Sequence, residues 1–154
     1  MNCEYSILVI TPKSKEYNSN TSQEHFQRLK EAYPGRRVLI VSNSAGTTSL
    51  DPSLTQAFEV EKSTGVFVLP HSTKKPGCGP EIMEYFRKYP ETGVTRPDQI
   101  AIVGDRLTTD VMMANLMGSY AVWVKDGVMP VEENGLVSLY SCLGIWRMIA
   151  NGWI

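Results

Sequence analysis

Cysteine is scarce in this chain of 154 residues: Cys3, Cys78 and Cys142 stand far apart, with no Cys-x-x-Cys pair and no His at ligand spacing. That excludes a disulfide framework and a structural zinc site, and it points to a reducing compartment. Excess charge of one sign is also lacking. With 15 basic and 16 acidic residues the net charge is −1, so the chain carries no electrostatic footprint for a polyanion and nucleic acid is not an expected partner. Long apolar runs are missing too. The opening MNCEYSILVITPKSK has only Ile7 to Ile10 as a hydrophobic run, has no basic segment before it and is not Arg-rich, so no signal peptide, anchor or transit peptide is expected. The closing LVSLYSCLGIWRMIANGWI is interrupted by Arg147 and small polar residues, against a spanning helix. What is present is ordinary globular composition, 42% hydrophobic and 20% charged, which excludes disorder as the main state and suits one domain over 1–154.

Period and punctuation give strand and helix in alternation. Tyr5 to Ile10 reads as a short strand followed by a polar loop to Asn20. Thr21 with Glu24 resembles a capping box, and Phe26, Leu29 and Tyr33 recur at helical spacing until Pro34-Gly35. Val38 to Val41 is apolar and β-branched, as in a strand covered on both faces. Asp51-Pro52 reads as an N-cap with Pro at the first helical position, and Gly65 as the end of that helix. Val66 to Leu69 is a third strand, and Pro80 to Tyr89 a helix with Ile82, Tyr85, Phe86 and Tyr89 on one face. Ile100 to Val103, a helix from Thr108 to Met117 closed by Gly118, and Tyr120 to Val124 complete the series. About five apolar strands separated by helices predict an α/β fold, a Rossmann-like doubly wound parallel sheet, with ligands outside the carboxyl ends of the strands. Three loops then matter: Ser42 to Thr47, His71 to Gly77 and Gly104 to Asp110.

Ala101 to Asp110 ends an apolar strand in Gly104-Asp105 and brings Asp110 to the start of a helix. Two carboxylates at a strand end suit Mg²⁺, which takes oxygen ligands and keeps several waters; the plainer alternative for Asp110, an acid that favours a helix N-terminus, is the weaker of the two. Ser42, Asn43 and Ser44 present hydroxyls and backbone amides in the manner of a phosphate nest, although the same residues also make ordinary turns. Lys74 or Lys75, ahead of Pro76, places a point charge suited to phosphate; a solvated pair is the plainer reading. His71 reads as a hydrogen-bonded surface residue.

Taken in chain order, these three segments resemble the haloacid dehalogenase (HAD) superfamily, with Ser42 in its second motif, Lys75 or Lys74 in its third, and Asp105 and Asp110 in its fourth. VSNSAGT, TGVFVLPHSTKKPGC and IAIVGDRLTTDVMMANLMGSYAVWVKDGV more closely resemble the eukaryotic mitochondrial phosphatidylglycerophosphate phosphatases, over roughly Leu29 to Val128. The resemblance implies a HAD-like domain with no large cap. It further implies a Mg²⁺-dependent phosphomonoesterase that converts phosphatidylglycerophosphate, an anionic phospholipid, into phosphatidylglycerol for cardiolipin synthesis, on the matrix side of the mitochondrial inner membrane. Its implied site is Lys75, Asp105 and Asp110 as catalytic residues, Ser42, Asn43, Ser44, Lys74 and Lys75 on the phosphate, and Asp105 and Asp110 on the metal, with Asp110 alternatively orienting Lys75.

The family's nucleophile is the first Asp of an Asp-x-Asp motif at the end of the first strand, with the second Asp as general acid and base. In this chain Ile10 is followed by Thr11-Pro12-Lys13-Ser14, and Asp51 is the first Asp of all. Asn2-Cys3 matches residues that often follow the motif in related proteins, which casts 1–20 as a divergent or truncated start. The expectation is therefore a phosphatase by family whose chain as written lacks turnover, the rival class being a phosphate-binding domain without catalysis. Over 136–154, Ser138, Ser141, Gly144, Arg147 and Asn151 gather on one face of a predicted helix, leaving a broad apolar face either to cover the sheet or to touch a bilayer.

Overall fold

The computed structural model describes the backbone of residues 7–10 and the whole of residues 27–124. Four strands, β1 (Ile7–Ile10), β2 (Val38–Ile40), β3 (Ile100–Gly104) and β4 (Tyr120–Trp123), form one sheet in the order β2-β1-β3-β4. All three pairings are parallel, with Ile10 opposite Ile40 on one side and Val103 on the other. Helical chain connects them: α1 at residues 27–32, α2 (Thr55–Thr64), α3 (Gly79–Lys88), and a π-helical turn at Leu107–Val111 that runs on as α4 (Met112–Met117).

The pattern of burial explains why β2 is apolar throughout. Val38 and Ile40 pack with Ala45, Ala57, Val66 and Val68, against Leu29, Tyr33 and Val60. The alternate residues Leu39 and Val41 belong to a second core with Ile82 and Phe86 of α3, Met113 and Ala114 of α4, and Ile100 and Ile102 of β3. Successive side chains of a strand point to opposite faces, so these are the two covered sides of one sheet. Phe86 and Ile82 are fully buried, and truncating Phe86 to Ala should cost about 3–5 kcal/mol. At the other end of β2, the Arg36 guanidinium lies 4.0 Å from the Tyr89 ring centroid. Tyr85 stacks on Phe67 nearby at 5.5 Å.

Two expectations need correction. Val66 to Leu69 is not a full strand: it meets β2 through a bridge of Val68 to Ile40, with Ile40 donating to the Phe67 carbonyl and Leu69 to that of Ile40. Among the described residues the sheet is thus four strands plus one extended segment. The helix after Asp51-Pro52 begins three residues later than a cap at Asp51 would put it, at Thr55, with Leu54 in the cap position at φ 57°. Its other end falls at Gly65, in the left-handed region at φ 68°, with the N–H bonded to the Glu61 carbonyl. The expected cap at Thr21 and the amphipathic stretch 136–154 lie outside the described residues.

The chain runs from β1 outward to β2, then crosses back to β3 on the far side of β1. The carboxyl ends of β2 and β3 therefore flank the carboxyl end of β1, the place where open parallel sheets leave a crevice for ligands.

Candidate functional site

Asp51, buried to 2% exposure, shapes the loop after β2. Its carboxylate accepts from the Gly46 amide at 3.0 Å, from Gln56 at 3.1 Å and from Ala57 at 2.8 Å. Burial by itself would raise its pKa, but the amides of Gly46, Ala57, Gln56 and Thr55 outweigh that and hold the carboxyl below its ordinary value. Asp51 thus ties the loop to the first turn of α2. Gly46 is required by the same geometry: at φ 80° a side chain there would run into the Leu69 carbonyl.

Within the loop, the Ser44 amide donates to the Ser42 hydroxyl at 3.3 Å, and the two hydroxyls are 3.2 Å apart. The Thr47 hydroxyl turns inward onto the Ser44 carbonyl at 2.8 Å. Ser42, Asn43 and Ser44 are half-buried. Asn43 reaches across to the next loop, where its Oδ1 accepts the Lys75 amide at 2.8 Å. That fixes the backbone of the lysine loop to the end of β2.

The two lysines part company. Lys74 is exposed, whereas Lys75 is buried and its Nζ donates to Asp110 Oδ1 at 2.8 Å, with side-chain exposures of 5% and 2%. Burial pushes the Lys75 ammonium below its ordinary pKa, and the Asp110 charge and hydrogen bond oppose this. Asp110 is engaged on its other oxygen as well, accepting the Arg106 amide at 3.1 Å. Gly104 makes room for it, since a Cβ there would overlap the Asp110 carboxylate. The Lys75-Pro76 peptide is cis.

Asp105 stands one residue past β3 and is half-buried. Its carboxylate makes no hydrogen bond or ion pair among the described residues, and its carbonyl accepts from Trp123 Nε1 at 3.1 Å. A half-exposed, uncommitted carboxylate at a strand end fits a hard cation that keeps most of its waters. No group of three His, Cys, Asp or Glu suited to a metal occurs among the described residues.

His71 departs from expectation, being buried rather than on the surface. Its Nδ1 is 2.8 Å from the Leu69 carbonyl, and its backbone bridges Thr47. Cys78, behind Lys75 at the start of α3, has its thiol pushed up to about 11 by burial. It is an inert packing group against Met113.

Ser42, Asn43 and Ser44 thus stand at one strand end and Lys75, Asp105 and Asp110 at loops beside it, with Lys74 turned outward. Sequence reasoning passed over Asp51 as the tie of the loop, Gly104 as the seat of Asp110, and Asn43 as a bridge between loops. Gly104 alone left a readable signal, a glycine directly ahead of the strand-end Asp.

Such an edge sets a buried lysine, hydroxyls and a half-exposed carboxylate beyond the strands of a parallel sheet, where α/β domains of this class leave a crevice for ligands. The chain belongs to the mitochondrial PGP phosphatase family, whose model matches residues 8–129. It is 50% identical over 125 residues to "Phosphatidylglycerophosphatase GEP4, mitochondrial" of Saccharomyces cerevisiae, covering 79% of this chain and 65% of that one. It is 36% identical over 102 residues to a probable mitochondrial phosphatidylglycerophosphatase of Schizosaccharomyces pombe, covering 66% and 48%. A chloroplastic phosphatidylglycerophosphate phosphatase of Chlamydomonas reinhardtii is 39% identical over 108 residues, covering 70% and 37%. The chain therefore spans less than two thirds of the length of these relatives. Among solved structures, an uncharacterized protein from Listeria monocytogenes serotype 4b aligns with TM-score 0.44 and 18% identity, over 80% of this chain and 85% of that one.

Proposed function

We propose that this protein removes the terminal phosphate of phosphatidylglycerophosphate, giving phosphatidylglycerol for cardiolipin synthesis, in mitochondria on the matrix side of the inner membrane. The observation that carries the reading is the buried Lys75–Asp110 pair, set beside the Ser42 loop by the bond from the Lys75 amide to Asn43. In this reading the sheet, with Val66 to Leu69 flanking β2, is the doubly wound domain of a HAD-type enzyme without a large cap.

Each side chain then has a task. The Ser42 and Ser44 hydroxyls donate to phosphoryl oxygens. Lys75 places its charge against the group being transferred, and Asp110 is a positioning residue that keeps the ammonium in place. Phosphoryl transfer is mainly positioning and charge neutralisation, so this is most of the catalytic burden. Asp105 is the residue offered to Mg²⁺, which when bound supplies charge against the phosphoryl oxygens. Both oxygens of Asp110 are already engaged, so Asp105 carries the metal assignment and Asp110 the lysine.

Thr11-Pro12-Lys13-Ser14 holds no carboxylate directly after β1, and that favours a second reading, phosphate binding without turnover by the chain as written. One experiment addresses both: Mg²⁺-dependent phosphate release from phosphatidylglycerophosphate, by this chain and by its Thr11→Asp, Lys13→Asp variant. A supplied nucleophile should raise turnover by on the order of 10⁵ to 10⁶. Release by the unaltered chain that Asp105→Asn abolishes would eliminate the second reading. Absence of release from both proteins, together with no binding of inorganic phosphate, would eliminate both.

A further inference from the structure

We propose that Arg106 is the specificity residue of the site, a guanidinium held at its mouth to take the internal phosphodiester of phosphatidylglycerophosphate while Lys75 faces the terminal phosphate. The proposal rests on the phosphatase reading and deepens it. That substrate carries two phosphates joined by a three-carbon glycerol bridge, and Lys75 with the Ser42 loop meets only one of them.

The backbone of Arg106 is committed on both sides. Its amide donates to Asp110 Oδ2 at 3.1 Å, and the carbonyl of the same peptide, that of Asp105, accepts from Trp123 Nε1 at 3.1 Å. Its own carbonyl accepts from the Asp110 amide at 2.8 Å and from that of Val111 at 3.3 Å. The side chain is the opposite case: Arg106 is exposed, and its guanidinium makes no hydrogen bond or ion pair among the described residues. A cation on so fixed a base is placed for a ligand rather than for the fold.

Lys75 Nζ and the Arg106 amide stand on the two oxygens of one carboxylate, that of Asp110, so the two cationic residues are neighbours across it. Burial lowers the Lys75 pKa most, Asp110 opposes this, and the Arg106 charge adds to the lowering, which sets the guanidinium on the Lys75 side of the turn. The acids nearby have other tasks. Glu81 Oε1 accepts the Ser72 amide and hydroxyl, both at 2.8 Å, and Asp105 is the residue offered to Mg²⁺. A planar guanidinium donates to two phosphate oxygens at once, which matches the two unesterified oxygens of a diester. Lys74, exposed and of the same charge, lacks that fork.

Calorimetry on the full chain with Mg²⁺ tests this without requiring turnover. The probes are glycerol 3-phosphate and deacylated phosphatidylglycerophosphate, a soluble headgroup that keeps both phosphates. The unaltered chain should bind the headgroup about tenfold more tightly. Arg106→Gln should erase that preference and weaken glycerol 3-phosphate by about threefold at most, the loss of one screened charge. Arg106→Lys, with the charge but not the fork, should restore part of it, and Lys74→Gln should leave the preference intact. Thermal melts confirm that each variant folds. Equal affinity of the unaltered chain for the two probes would overturn the proposal, as would a preference that survives in Arg106→Gln. Equal loss in Lys74→Gln would also overturn it, by reducing the preference to general positive potential. In each of these cases, glycerol 3-phosphate binding that disappears in the Lys75→Met, Asp110→Leu variant would leave the phosphatase reading standing. Binding of neither probe by the unaltered chain would overturn both.

Discussion

Asp51 and Asp110 are equally buried, at 2% and 1% exposure, yet they are solved by opposite means. Asp51 is surrounded by backbone amides from residues at most six positions away. Asp110 is met by an ammonium 35 residues distant, plus one amide. A carboxylate satisfied by local backbone needs no second charge and simply sets the shape of a chain segment. A carboxylate satisfied by a remote lysine holds a second charge in a place where folding alone would not have put it. Burying such a pair gives little net stability, because desolvation of both charges offsets their attraction. Under the proposed reading, the pair stands at the strand ends to hold the lysine for a phosphoryl group rather than to stabilise the fold.

The largest effect that separates the two regions is expected from Lys75→Ala. It leaves Asp110 buried without its counter-charge and should destabilise the chain by about 3–5 kcal/mol in urea titration. Replacing the pair together, Lys75→Met with Asp110→Leu, should recover most of that loss. Calorimetry with inorganic phosphate should show binding still absent in the double variant. Recovery of both stability and binding would make the pair a mere structural element like Asp51, and the comparison would fail.

Gly104→Ala is next. The new Cβ meets the Asp110 carboxylate, and overpacking of this kind costs about 1–3 kcal/mol. Because the carboxylate must move, the lysine moves with it. The variant should lose phosphate affinity out of proportion to its stability loss, whereas a small-to-large change at Ala57 under the Asp51 loop should cost stability in the main.

The reach of the sequence follows the same division. Val38 to Val41 announced a doubly covered strand because both periodicities of burial are written into consecutive residues, and the choice among loops followed from where strands end. Lys75 and Lys74 were indistinguishable, since burial of one of two neighbouring lysines is decided by Asp110 and Asn43, far away in sequence. Asp51 was read as a neighbour's cap, because Asp-Pro signals a helix start. Its amide partners at Gln56 and Ala57 become visible only once the chain between turns through Leu54 at positive φ. Val66 to Leu69 has strand composition, but its paired contact with β2 is confined to the bridge at Ile40. The π-helical turn at Leu107–Val111 has no signature in residue type.

Asp51→Asn probes the other member of the comparison, and the expected signature is a pH dependence. The Asp51 carboxyl is held below its ordinary value of 3.8, so between its native pKa and that value the unfolded chain binds more protons than the folded one. Its stabilising contribution is complete above about pH 4 and is lost as pH falls through the native value. The Asn variant has no such proton to bind. Its melting temperature should lie a few degrees below that of the unaltered chain at neutral pH, and the gap should close in acid, where protonated Asp51 resembles Asn. A gap that stays constant down to pH 2 would show that shape rather than charge matters at this position.

The smallest effect is expected at Lys74, and it is informative for being small. Lys74 and Lys75 are adjacent, carry the same charge and lie in the same loop, so any role that depends on local positive potential alone would show in both. Only Lys75 is buried and paired; Lys74 projects into water, where its attraction for a phosphate in the site is screened. Lys74→Ala should leave the melting temperature within about a degree, as surface substitutions do. It should change inorganic phosphate affinity by roughly twofold or less. If Lys74→Ala instead abolished phosphate binding as fully as Lys75→Ala, the buried pair would not be what holds the anion, and the distinction between a charge that is placed and a charge that is merely near would have to be given up.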